Sequence, residues 1–204
     1  MKRQERMVFK GMSAKLRNSI QESFLNLALR KPVDRITVKE IVKDCDINRN
    51  SFYYHFEDLP DLIEKVVEER IFNIDQVTAP DKSIEDCSFS IVQAIVNNQE
   101  LIRNIYNSKS RALFERKLFV VTGKLVRQYL DNNVFPSYDI SRSDREVLIR
   151  LYRNMLAGYI LEWLNASPKD DLLAQLQRIF ELRRGFFEIT LERAVIDHRT
   201  GRKK

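Results

Sequence analysis

Asn48, Arg49, Asn50 and Ser51 form one run, followed at once by Tyr53, Tyr54 and His55. These side chains suit duplex DNA. Asn can pair with adenine, and Arg with guanine, through two hydrogen bonds each at the major-groove edge. Phenol and imidazole groups donate to phosphate oxygens, which fixes register without reading sequence. Thr37 offers a further hydroxyl, beside the amides that open a helix, for another phosphate.

Two short helices must position these groups. Thr37 followed three residues later by Glu40 is a capping box, with Val38, Ile41 and Val42 as the inward face of the helix it starts. Asp46-Ile47 makes the turn, and Asn48 caps the next helix. Phe52 and Phe56, four apart, face inward. In a helix-turn-helix the second helix enters the major groove with its N-terminal residues at base edges. The same spacing also suits an ordinary capped helix pair on a surface. The aromatic cluster that ends the run favours the DNA reading, with one of Tyr53 and Tyr54 expected to pack inward and the other to be exposed.

The flanks extend the pattern. Met1 to Gly11 is polar and basic and is expected to be a frayed arm. Ser13 is expected to cap a helix to about Arg30, with Leu16, Ile20, Phe24 and Leu27 on one stripe and Lys31-Pro32 ending it. Asp58 caps a fourth helix with Pro60 in its first turn. Further helices are expected at about 83–97, 99–107, 110–132, 141–165 and 168–197. No period-2 strand, repeat or low-complexity tract occurs. The prediction is an all-α chain: a three-helix helix-turn-helix DNA-binding domain over residues 1–60, a fourth helix at 60–73 that connects, and a helical-bundle effector and dimerisation domain over 74–204, with Ala79-Pro80 as the joint.

Composition agrees. Five glycines and five prolines in 204 residues leave little material for the turns of a β fold. The net charge is +6, with 12 Lys/Arg against 8 Asp/Glu up to Leu59. Five Lys/Arg against one Asp follow from Arg193 on, a tail expected to be solvated and disordered. A basic head suits a nucleic-acid partner. Cys45 and Cys87 make no CxxC or Cys/His cluster, so both are expected to be reduced and buried, with no metal site. No glycine-rich phosphate loop appears, and no cofactor is expected. With only two histidines, one of them in the motif, and no recognisable carboxylate pair, the chain does not read as an enzyme. No apolar run approaches the length of a membrane span, and no signal peptide is visible, so a cytoplasmic protein is expected.

Over about Ser13 to Val67 the chain resembles the DNA-binding domain of TetR/AcrR-type transcriptional regulators. Ile41, Ile47, Ser51, Phe52, Tyr53, Tyr54, His55, Phe56, Asp58 and Leu62 carry the resemblance. Three departures stand out. Cys45-Asp46 replaces the family's usual Ala-Gly turn. Asn50 replaces a frequent Gly and adds a side chain able to read a base. Leu59 replaces a common Lys and removes one phosphate contact. The segment AGYILEWLNASPKDDLLAQL is similar to a subgroup that includes regulators of dihydroxyacetone kinase genes. The resemblance implies a homodimer on a palindromic double-stranded DNA operator, most often as a repressor, controlled by a small-molecule effector in the C-terminal body. Tyr106, Phe114, Tyr129, Tyr152, Tyr159 and Trp163 are candidate effector-lining residues, although aromatics at such spacing more often build a core. Gly158, inside a predicted helix, either permits a close crossing or is merely tolerated. The alternative is a helical co-activator or adaptor that keeps the fold and acts through a protein partner.

Overall fold

Apolar residues at spacings of three and four, rarely interrupted by glycine or proline, produce ten α-helices and no strand among the described residues. The computed structural model describes residues 2–72, 83–166 and 171–200, with side chains from residue 12 on. The helices are α1 Lys2–Ala28, α2 Val38–Asp44, α3 Arg49–His55, α4 Leu59–Val66, α5 Ile84–Asn97, α6 Gln99–Tyr106, α7 Arg111–Tyr129, α8 Arg142–Asn165, α9 Leu172–Leu182 and α10 Phe186–Arg199. A π-helical turn, Val67–Ile71, extends α4, and another, Leu130–Val134, extends α7.

Four boundaries differ from expectation. The arm before Gly11 has helical backbone from Lys2, and Ser13 lies inside α1 rather than at its start. Lys, Arg, Gln, Glu and Met dominate this stretch and are strong helix formers, so the helix propagates past the candidate cap. The last predicted helix is broken in two. Gly185 adopts φ +80°, in the left-handed region that glycine enters without a Cβ penalty, and so separates α9 from α10. The expected basic tail is helical as far as Arg199. The expected joint at Ala79-Pro80 and the Pro168 start lie outside the described residues.

The chain divides into two compact units, the first made of residues 1–70 and 98–114, the second of 71–97 and 115–204. Residues 98–114, which the sequence reading placed in the later domain, thus belong with the first unit. In that unit Ile20, Phe24, Ile41, Phe52, Phe56, Leu62 and Val66 form the buried centre. Asn104 on α6 explains much of why α6 belongs there. Its Oδ1 accepts from the Val33 N–H at 3.0 Å, and its Nδ2 donates to the carbonyls of Ala28 at 2.6 Å and Lys31 at 2.8 Å. One carboxamide thereby satisfies three backbone groups of the loop that leads into α2. The Lys109 N–H adds a bond to Asp34 Oδ1 at 3.1 Å. In the second unit α5 packs against α9, with the rings of Phe89 and Phe180 5.7 Å apart.

Asn104→Ala strands one N–H and two carbonyls in a half-buried loop. It is expected to destabilise the protein by about 1–3 kcal/mol in chemical denaturation. An unchanged midpoint would show that the clamp contributes nothing.

Candidate functional site

The turn between α2 and α3 is closed by backbone bonds: the Cys45 N–H to Ile41 O at 3.0 Å and the Ile47 N–H to Val42 O at 2.9 Å. Asp46 between them has φ +52°, the one non-glycine residue in the left-handed region among the described residues. This is where the TetR-type pattern has glycine, and Asp tolerates the conformation better than most residues. Cys87 is buried as expected, but Cys45 is only half-buried; neither is in a disulfide. Burial raises the Cys45 thiol pKa above its ordinary value.

Both caps form, with consequences for the groups that make them. The Thr37 hydroxyl accepts from the Glu40 N–H at 3.3 Å and donates to Glu40 Oε2 at 2.9 Å. Its proton is therefore committed within the capping box rather than available to a phosphate. Lys31 pairs with the same carboxylate. That hydrogen bond is the main reason Glu40 titrates below the usual carboxylate range, ahead of the one from Thr37. Asn48 Oδ1 accepts from the Ser51 N–H at 2.9 Å and from the Ser51 hydroxyl at 3.2 Å. Both bonds engage the Asn48 oxygen in starting the helix, which is the oxygen a two-bond contact to adenine would use. Arg49 and Asn50 remain exposed, with no side-chain hydrogen bond or ion pair to another described residue.

Tyr53 and Tyr54 are both exposed, at 53% and 69%, which corrects the expectation that one packs inward. Phe52 and Phe56 fill the inward stripe completely. The next two positions after Phe52 turn roughly 100° and 200° away from it. The Tyr53 ring stands perpendicular to that of Phe52, with centroids 5.4 Å apart. His55 is half-buried against Tyr54, 5.0 Å away. Burial, and secondarily the Arg17 guanidinium, lower its pKa below the ordinary value. It is thus a neutral imidazole at neutral pH, with one N–H to donate.

Arg17 is a residue the sequence reading missed. It lies 5.6 Å from the Phe56 ring centroid and makes a two-pronged contact to Glu69, both bonds 2.5 Å. Gln21, almost fully buried, donates to the same carboxylate at 3.0 Å. Burial raises the Glu69 pKa, but the hydrogen bonds from Arg17 and Gln21 outweigh it and leave the pKa lowered. The partners are some fifty residues apart in sequence, beyond the reach of any local pattern.

The second unit holds a cavity of about 510 Å³. Of the six aromatic candidates, Tyr129 and Tyr152 line it, and Tyr159 lines a smaller pocket that Tyr152 also borders. Trp163 is buried and lines neither. Tyr106 and Phe114 lie in the first unit, packed edge to face at 6.2 Å, with the Tyr106 hydroxyl accepting from Arg111 at 2.6 Å. Their aromatic spacing marks core. Burial raises the pKa of both cavity phenols, so they remain neutral donors. Arg183, Glu85 and Gly185 also line the cavity and were not singled out by sequence. A glycine just after basic residues does signal a helix end, and that signal was available. Among the described residues no cluster of His, Cys, Asp or Glu is placed to hold a metal, and no helix is long and apolar enough to cross a membrane.

Comparison with known proteins agrees with this architecture. The model of a TetR-type transcriptional regulator C-terminal region matches residues 82–185, just over half of the chain. The chain belongs to the TetR family of transcriptional regulators, whose members bind DNA through an N-terminal helix-turn-helix. Among solved structures it is similar to a dihydroxyacetone kinase operon activator, with TM-score 0.68, 16% identity, and coverage of 85% of this chain and 97% of that one. At that identity the likeness carries the fold and not the genes regulated. No curated protein matches by sequence.

Asp46→Val is expected to cost about 1–2 kcal/mol, because a β-branched residue resists the left-handed turn. Asp46→Gly should stay within about 1 kcal/mol of the parent, its relief of strain offset by chain entropy. Denaturation curves compare the two, and equal stability of the Val and Gly variants would contradict the strain argument.

Proposed function

We propose that the chain is a homodimeric, sequence-specific repressor that binds a palindromic operator and is controlled by a small molecule held in its second unit. The observation that carries the DNA part is the division of labour on α3. Phe52 and Phe56 anchor the helix, Asn48 and Ser51 cap it, and Arg49, Asn50, Tyr53 and Tyr54 are left in solvent. In this reading Arg49 and Asn50 meet base edges, while Tyr53, Tyr54 and the neutral His55 donate to phosphates.

The dimer is supported by exposed apolar side chains. Val147 and Leu151 on α8 are 51% and 47% exposed. Leu182, Phe186, Ile189 and Ile196, spaced as one stripe along the end of α9 and α10, are 70%, 59%, 62% and 55% exposed. Gly158 on α8 is exposed, and a Cβ there would meet nothing within 4 Å. No described neighbour requires a glycine at that point, which suits a close approach by a second copy as well as a merely tolerated glycine. Effector control is supported by the cavity and by its phenol handles. A ligand that favours one of two states would shift the population of operator-competent dimers.

A second reading, a co-activator that works through a protein partner, has one observation in its favour: the similar solved structure is named an operon activator. Leu59, in place of a phosphate-binding lysine, points the same way.

Selection of genomic fragments by the purified protein, followed by fluorescence anisotropy, tests the DNA reading. Tyr53→Phe and His55→Ala should weaken binding to every selected fragment. Asn50→Ala should also change base preference, by about 1–3 kcal/mol at one position. Unchanged affinity in all three would remove α3 from the interface, and no salt-dependent binding to any fragment would favour the co-activator. For the dimer, Ile189→Glu should shift sedimentation from dimer to monomer with the helical circular dichroism retained.

A further inference from the structure

The wall of the cavity in the second unit contains a cation in an unusual state. Only 17% of the Arg183 side chain is exposed. The guanidinium carbon lies 4.5 Å from the centroid of Phe180 and 5.1 Å from that of Tyr152, so aromatic rings cover it. Its polar contacts inside the chain are few: the Met155 sulfur at 3.8 Å and a Glu85 carboxylate oxygen at 3.9 Å, beyond hydrogen-bond distance. A guanidinium carries five N–H donors in a rigid fork, and among the described residues no oxygen lies within hydrogen-bond distance of them. A guanidinium largely covered by rings, at the wall of a cavity, gains from a charged acceptor that reaches it from that cavity.

The other charges on the cavity wall are in a different state. Glu181 is paired with Arg178 at 2.8 Å. Glu85 is 45% exposed, and Glu188 and Arg184 are exposed. Water already solvates these groups, so a ligand gains little by replacing it. The under-satisfied group is the interior cation, and the interior decides the sign of the ligand. Tyr129 and Tyr152 also line the cavity and bring phenol groups to it, and the rings of Phe180 and Phe187 offer an apolar bed. The volume of about 510 Å³ suits a small organic molecule.

From this arrangement we infer that the cavity binds an organic carboxylate with an aromatic or aliphatic body, its carboxylate taking two parallel hydrogen bonds from the Arg183 guanidinium. Planar two-pronged geometry is what Arg offers a carboxylate. Glu85 is the internal competitor: it holds the guanidinium loosely while the cavity is empty of ligand and yields to an incoming carboxylate. The assignment rests on the reading of this cavity as the effector site, and the experiment separates the two.

Octanoate, phenylacetate and indole-3-acetate, each with its amide and amine counterpart, are titrated calorimetrically into the full-length wild type, Arg183→Gln and Glu85→Gln. The wild type is expected to bind at least one carboxylate, and at least tenfold more tightly than its amide or amine. Arg183→Gln should lose at least tenfold in carboxylate affinity while leaving the amide unchanged. Glu85→Gln should gain severalfold, because it removes the competitor and keeps the fork. That arm decides the matter even where the arginine variant fails to fold. Tighter binding of the amines, or no gain in Glu85→Gln, overturns the carboxylate assignment while keeping the cavity as a ligand site. Absence of binding by all nine probes overturns both the assignment and the effector reading of the cavity.

Discussion

A seven-residue helix has no stability of its own in water, because nucleation is not repaid over so short a run. The helix α3, Arg49–His55, exists because Phe52 and Phe56 are buried without remainder among Ile20, Phe24, Ile41 and Leu62. The rest of the first unit depends on that burial. With both inward positions taken by Phe, the intervening tyrosines must turn to solvent. With the Asn48 carboxamide and the Ser51 hydroxyl consumed in starting so short a helix, Arg49 and Asn50 are the polar side chains left unengaged at its N-terminal end. Anchoring and exposure are thus two results of one constraint.

The loop that aims this helix pair is held from far along the chain. The carboxamide of Asn104 reaches three backbone groups between Ala28 and Val33, and the capping box at Thr37 follows directly. The chain enters the first unit a second time at Asn98 and leaves it again after Phe114. A segment continuous with the helices of the second unit at both of its ends therefore supplies the hydrogen-bond partners of the loop before the helix-turn-helix. The division of the chain in space is not its division in sequence, and the shared segment links the two units covalently at both ends.

The second unit shows the same contrast between local chemistry and distant placement. Helical spacing alone groups six aromatic residues as a possible ligand wall. The fold sorts them: Tyr129 and Tyr152 face the main cavity, Tyr159 a smaller one, Trp163 is buried away from both, and Tyr106 and Phe114 belong to the core of the other unit. The guanidinium on the cavity wall, covered by rings and near the Glu85 carboxylate, depends on α5, α8 and α9 meeting.

The sequence by itself determined the caps of the helix-turn-helix and the helical character of the chain. Thr37 with Glu40, Asn48, and Asp58 start their helices as read, because a cap is decided within four residues. The strained turn was legible in the same way, since Asp46 stands where a TetR-type turn needs positive φ. The all-α class followed from periodicity and the scarcity of turn residues. What only the tertiary structure decided were the long-range pairings: Arg17 with Glu69, Asn104 with the loop before α2, and Arg183 among the aromatics. Each joins residues far apart in the chain or on separate helices. Their partnership depends on how apolar stripes pack, and helical periodicity says that a stripe exists without saying which stripe it meets.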